Sequence, residues 1–80
     1  MDIIEFGTPE GGLNSIRRDD FMRMEVIVRY GYNDKIDGAH LRIEFKNKTH
    51  LRIMNLSLSQ AQGLYNEIKK QLKGESEKDG

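Results

Sequence analysis

His40 and His50 are the only imidazoles in a chain of 80 residues that has no cysteine. They are therefore its only side chains whose ordinary protonation equilibrium lies near neutrality. Acid–base or nucleophilic catalysis needs such a group beside a nucleophile or a metal. Both histidines precede an alternating apolar run, Leu41 and Ile43 after His40, Leu51 and Ile53 after His50, which places them on the outward parity of two strands. In the register argued below they stand six residues apart, about 20 Å at ~3.4 Å per residue. No shared metal site is expected.

The remaining groups with chemical potential do not assemble either. Asn33-Asp34-Lys35-Ile36-Asp37-Gly38 lacks the alternating oxygen ligands and terminal glutamate of a calcium loop. Gly7-Thr8-Pro9-Glu10-Gly11-Gly12 has no Gly-Lys-Ser/Thr sequel, so it reads as a linker rather than a phosphate loop. Without cysteine there is no thiolate nucleophile, no disulfide, and no thiolate-bound zinc or iron–sulfur centre. A non-enzyme with no cofactor and no metal is expected.

Charge carries more information. Residues 1–20 hold five acids (Asp2, Glu5, Glu10, Asp19, Asp20) against Arg17 and Arg18, whereas residues 21–56 hold seven bases against Glu25, Asp34, Asp37 and Glu44, within a chain of zero net charge. Arg29, Arg42, Lys46, Lys48 and Arg52 share the outward parity or the adjoining turn, and Ile27 and Met54 lie among them. Arginine and methionine together are characteristic of protein interfaces. These seven residues are the candidate partner-binding set. A basic face of this kind can also track phosphates, although Tyr30, Tyr32 and Phe45 have the inward parity, which would deny it exposed stacking platforms.

The elements that must position them follow from periodicity. Met24, Val26, Val28, Tyr30 and Tyr32 alternate with Glu25, Ile27, Arg29 and Gly31; Leu41, Ile43 and Phe45 alternate with polar neighbours, as do Leu51 and Ile53. Three antiparallel strands are expected. Pairing Phe45 with Leu51 and Glu44 with Arg52 leaves a three-residue turn at Asn47-Lys48-Thr49, and pairing Tyr32 with Leu41 sets Arg29 opposite Glu44. That register predicts an Arg29–Glu44–Arg52 ladder across the outer face. It also sets His50 opposite Lys46.

From Ser57 the period becomes 3.6, with Ala61, Leu64, Tyr65, Ile68 and Leu72 on one stripe. Ser57 with Gln60 forms a capping box, Lys69, Lys70 and Lys73 suit the negative end of the dipole, and Gly74 suits a left-handed cap. The expected fold class is α+β: a three- to four-stranded antiparallel sheet with one C-terminal amphipathic helix across one face. Its expected organisation is an acidic arm over 1–20 with a short strand at 3–6 and a glycine-rich linker, a core domain over 21–74, and a disordered tail over 75–80.

The N-terminus lacks the basic and apolar segments of a signal peptide, and no run approaches the ~18 apolar residues of a membrane span. A cytoplasmic protein with no membrane partner is expected. The functional expectation is a small interaction module that binds a larger protein, as an inhibitor or adaptor of a nucleic-acid-handling enzyme. Binding of single-stranded nucleic acid by the basic sheet face is the alternative. A domain of this size buries only about 60–65% of its unfolded surface, so association with a second copy is a further expectation.

Overall fold

The computed structural model describes residues 3–74. They form strands β1 (Ile3–Gly7), β2 (Leu13–Arg17), β3 (Phe21–Tyr30), β4 (Ile36–Phe45) and β5 (His50–Leu56), followed by helix α1 (Leu58–Lys73). β1 and β2 make a two-stranded antiparallel sheet, and β3, β4 and β5 make a three-stranded one in that order. The fold is α+β, with α1 packed against the inner face of the larger sheet and against β1. Residues 1–2 and the expected tail at 75–80 lie outside the described residues.

The first twenty residues differ most from expectation. The strand at Ile3 does not add a fourth strand to the larger sheet; it pairs with β2, Ile4 opposite Ile16. Ile4, Phe6 and Ile16 are buried in the same core as Leu41, Ile43, Ile53, Leu56, Ala61 and Ile68. The glycine-rich stretch is the turn of this hairpin. Thr8 N–H donates to Gly12 O at 2.9 Å, Gly11 N–H donates to Thr8 O at 2.9 Å, and Gly11 takes φ +94°, the left-handed position such a turn requires. The two sheets stay separate; one cleft lies between the β1–β2 turn with Asn14 and strand β5, and another between β2 and the β4–β5 turn.

Register in the larger sheet also departs from the expected pairing. β3 meets β4 with Arg23 opposite Glu44, Glu25 opposite Arg42 and Ile27 opposite His40. The offset from the expected register is an even number of residues between Arg23 and Arg29, so the side chains there keep their face while their neighbours change. Most of the expected Asn33–His40 loop is strand, and the connection shrinks to Gly31–Lys35, closed by Gly31 N–H donating to Lys35 O at 2.8 Å. Asn33 and Asp34 make it tight by adopting positive φ, 62° and 59°, a conformation their short polar side chains tolerate. Between β4 and β5 the turn is Lys46-Asn47-Lys48 rather than Asn47-Lys48-Thr49. Phe45 N–H donates to Thr49 O and Lys48 N–H to Phe45 O, each at 2.9 Å, and Asn47 Oδ1 accepts from Thr49 N–H and Oγ1–H.

Helix α1 behaves as its sequence predicts. Ser57 and Gln60 exchange both capping-box bonds, and Gly74 closes the C-terminus in the left-handed conformation. Ala61 and Ile68 are wholly buried. The buried stripe is tied to the small sheet by Gln71, whose carboxamide donates to Glu5 O at 2.9 Å and accepts from Glu5 N–H at 3.3 Å, in the manner of a neighbouring strand. Arg18 Nη1 donates to Leu72 O at 2.8 Å, satisfying one carbonyl that the helix end leaves without an internal partner.

Candidate functional site

The outer face of the larger sheet is the surface that gathers most of the candidate residues. α1 and the core cover the inner face, where Met24, Val26, Leu41, Ile43, Leu51 and Ile53 point, so the alternate residues face solvent. Two charged rows cross all three strands, Arg23–Glu44–His50 and Glu25–Arg42–Arg52. In the first, Arg23 Nε donates to Glu44 Oε1 at 2.7 Å; in the second, Arg42 Nη1 donates to Glu25 Oε2 at 3.1 Å. Arg29 stands apart near the turn, its Nε 3.8 Å from Asp37 Oδ2. The expected Arg29–Glu44–Arg52 ladder is absent because the β3–β4 register carries Arg29 to Gly38, leaving Arg23 to take Glu44.

Electrostatics follow this pairing. The hydrogen bond from Arg23 holds the Glu44 carboxyl below the ordinary glutamate range against the opposing effect of desolvation, and the same bond raises Arg23. Arg52 faces Arg42 directly and has no carboxylate within 4 Å among the described residues. The repulsion that would follow is tempered because Glu25 flanks Arg42 on its other side. Of the seven candidates, Ile27, Arg42, Arg52 and Met54 share the central outer face, Lys46 and Lys48 sit in the exposed β4–β5 turn, and Arg29 lies toward the opposite end. Met54 is 45% exposed.

His50 lies opposite Glu44, not Lys46, and His40 opposite Ile27. The two histidines keep their outward placement. His40 lies four residues from Glu44 along β4, about 14 Å. Among the described residues no group of three His, Asp or Glu side chains could hold a metal ion, and no helix is long and apolar enough to cross a membrane.

Sequence periodicity missed an aromatic feature at the β3–β4 turn. Tyr30 and Tyr32 are 64% and 91% exposed, contrary to their inward parity, and Ile36, paired with Tyr30, is 49% exposed. A register shift between Arg29 and Tyr30, with Asp37 the extra residue on β4, ends the alternation, and β4 pairs with β5 only from Ala39 onward. The turn therefore projects past the third strand, where Tyr30, Tyr32 and Ile36 stay exposed. The Gly31 and Asn33-Asp34 that flank Tyr32 were the available signal, since they mark it as a turn residue.

No family model, curated protein or solved structure matches the chain. Its functional reading rests on this geometry.

Proposed function

We propose that this chain is a non-catalytic interaction module whose outer sheet face binds a larger protein, in the manner of an inhibitor or adaptor. One observation carries the reading. The outer face places Ile27 and the exposed Met54 beside arginines whose charges are already met by Glu25 and Glu44. A surface of paired charges around apolar residues gains little from polyanions, because the ion pairs would first have to be broken. Against a protein it offers apolar contact, with Arg52, which lacks a carboxylate partner among the described residues, available as an anchor.

The test is affinity capture with the tagged chain from lysate of its source, with and without nuclease, comparing wild type with the Arg52→Glu, Met54→Glu double variant. A stoichiometric protein that survives nuclease and is lost with the double variant supports the proposal, provided that circular dichroism shows the variant folded. Equal capture by both chains removes the outer face from the argument.

Exposed Tyr30 and Tyr32, beside Arg29 and Lys35, favour a second reading, single-stranded nucleic-acid binding at the projecting turn. Base stacking on tyrosine contributes about 1–3 kcal/mol per base. Tyr32→Ala should then weaken oligonucleotide binding by about fivefold or more, and affinity should fall with salt at a slope near −0.7 per phosphate contacted. Binding that is absent at low salt overturns this reading.

A further inference from the structure

β3 forms one edge of the larger sheet. Among the described residues β3 pairs with β4 on one side and with no strand on the other, and its ten residues, Phe21–Tyr30, contain no proline and no lysine, two of the usual devices that blunt a sheet edge. The strand is regular from Arg23 to Tyr30, because the extra residue near the turn is Asp37 on β4, while the extra residue at the other end is Met22 on β3 itself. Beside this edge an open groove, lined by Phe21, Met24, Val26, Tyr65 and Leu72, separates β3 from α1.

We propose that β3 pairs antiparallel with β3 of a second copy of the chain, in a register centred on Ile27. Antiparallel partners must share a face, so the symmetric registers are those centred on a single residue. Centring on Glu25 opposes two glutamates, and centring on Val26 opposes Arg23 to Arg29 of the other copy. Centring on Met24 carries the ladder through the irregularity at Met22 and leaves Val28 and Tyr30 unpaired. Centring on Ile27 stays within the regular strand. It places Glu25 opposite the other copy's Arg29 twice over, Ile27 against Ile27, Val26 against Val28 and Met24 against Tyr30.

The complementarity of this register has a structural basis in the single chain. In the single chain the Arg29 guanidinium lies over Gly38 of β4 and only 3.8 Å from Asp37, a loose hold that a swing of this long side chain toward the seam would exchange for Glu25, which lies on the exposed side of its pair with Arg42. Joining the edges makes one six-stranded sheet with both helices on the same side, which covers the half-exposed Met24 and Val26 and brings the two grooves together over the seam. Arg42, Arg52 and Met54 remain open on the outer faces, while Ile27 and Glu25 are shared between the seam and the proposed protein-binding face.

Because the chain has no cysteine, a single introduced thiol reports the register. Opposed residues of an antiparallel pair have Cα atoms about 4.5–5.5 Å apart, within disulfide reach. Ile27→Cys should therefore oxidise to a covalent dimer, whereas Glu25→Cys, about 14 Å from its own copy at four residues' offset, should not. The wild-type chain in light scattering should rise from 9.3 kDa toward twice that mass with concentration. Ile27→Lys should stay at the lower mass with an unchanged circular dichroism spectrum. A wild-type mass that stays single to about 1 mM overturns the proposal. So does linkage of Glu25→Cys as efficient as that of Ile27→Cys, or a dimer that survives Ile27→Lys.

Discussion

At Glu44 two neighbours on different strands meet one carboxylate, and the pair with Arg23 at 2.7 Å governs how this residue responds to acid. Its folded-state pKa is depressed, so the pair's stabilisation is present above the ordinary glutamate value of about 4.3 and is lost as pH falls through the lower folded value. The Glu44 carboxyl followed by NMR should titrate below that ordinary value, and Arg23→Ala should return it upward. A second residue-scale contrast is built into the two three-residue turns. Gly11 and Lys48 occupy the same left-handed position, at φ +94° and +73°, yet only glycine takes it without a Cβ penalty. Lys48→Gly should raise stability by about 0.5–1 kcal/mol in chemical denaturation, the relieved strain exceeding the added entropy of the unfolded chain. It removes one basic candidate without harming the fold.

Among the elements, α1 is limited by its own sequence at one place. Gly63 sits mid-helix on the exposed side, and a Cβ there would meet nothing within 4 Å. Gly63→Ala should stabilise the protein by about 0.5–1 kcal/mol, read as a raised thermal midpoint, by restricting the unfolded backbone. The β1–β2 hairpin acts in the opposite sense, because it supplies core rather than merely tolerating it. Ile4 is fully buried, and truncating it removes contacts with the helix side of the core. Ile4→Ala should therefore cost about 2–4 kcal/mol, as Ile68→Ala should from the helix. An effect below about 1 kcal/mol would place the hairpin outside the cooperative unit.

Across the whole molecule, a single cluster links both sheets and the helix. A fragment beginning at residue 21 keeps every strand that the alternation pattern marks most clearly. It loses Ile4, Phe6 and Ile16, and with them Glu5, whose backbone Gln71 brackets. Domains this small hold only a few kcal/mol in reserve, so the fragment should lack the sharp, cooperative thermal transition of the full chain. The sequence alone determined the α+β class, the helix and both of its caps, and the outward placement of Arg42, Arg52, Ile27 and Met54. Each depends on local period or on bonds within four residues, and a face is conserved under any even shift of register. Tertiary structure decided what local pattern cannot encode: which residue sits opposite which, that Glu44 takes Arg23 rather than Arg29, and that Tyr30 and Tyr32 stand beyond the last supporting strand. It also decided that the acidic N-terminal segment folds into the core. The physical reason is that strand pairing and core closure join residues dozens of positions apart, where the free energy lies in long-range contact and leaves no periodic trace.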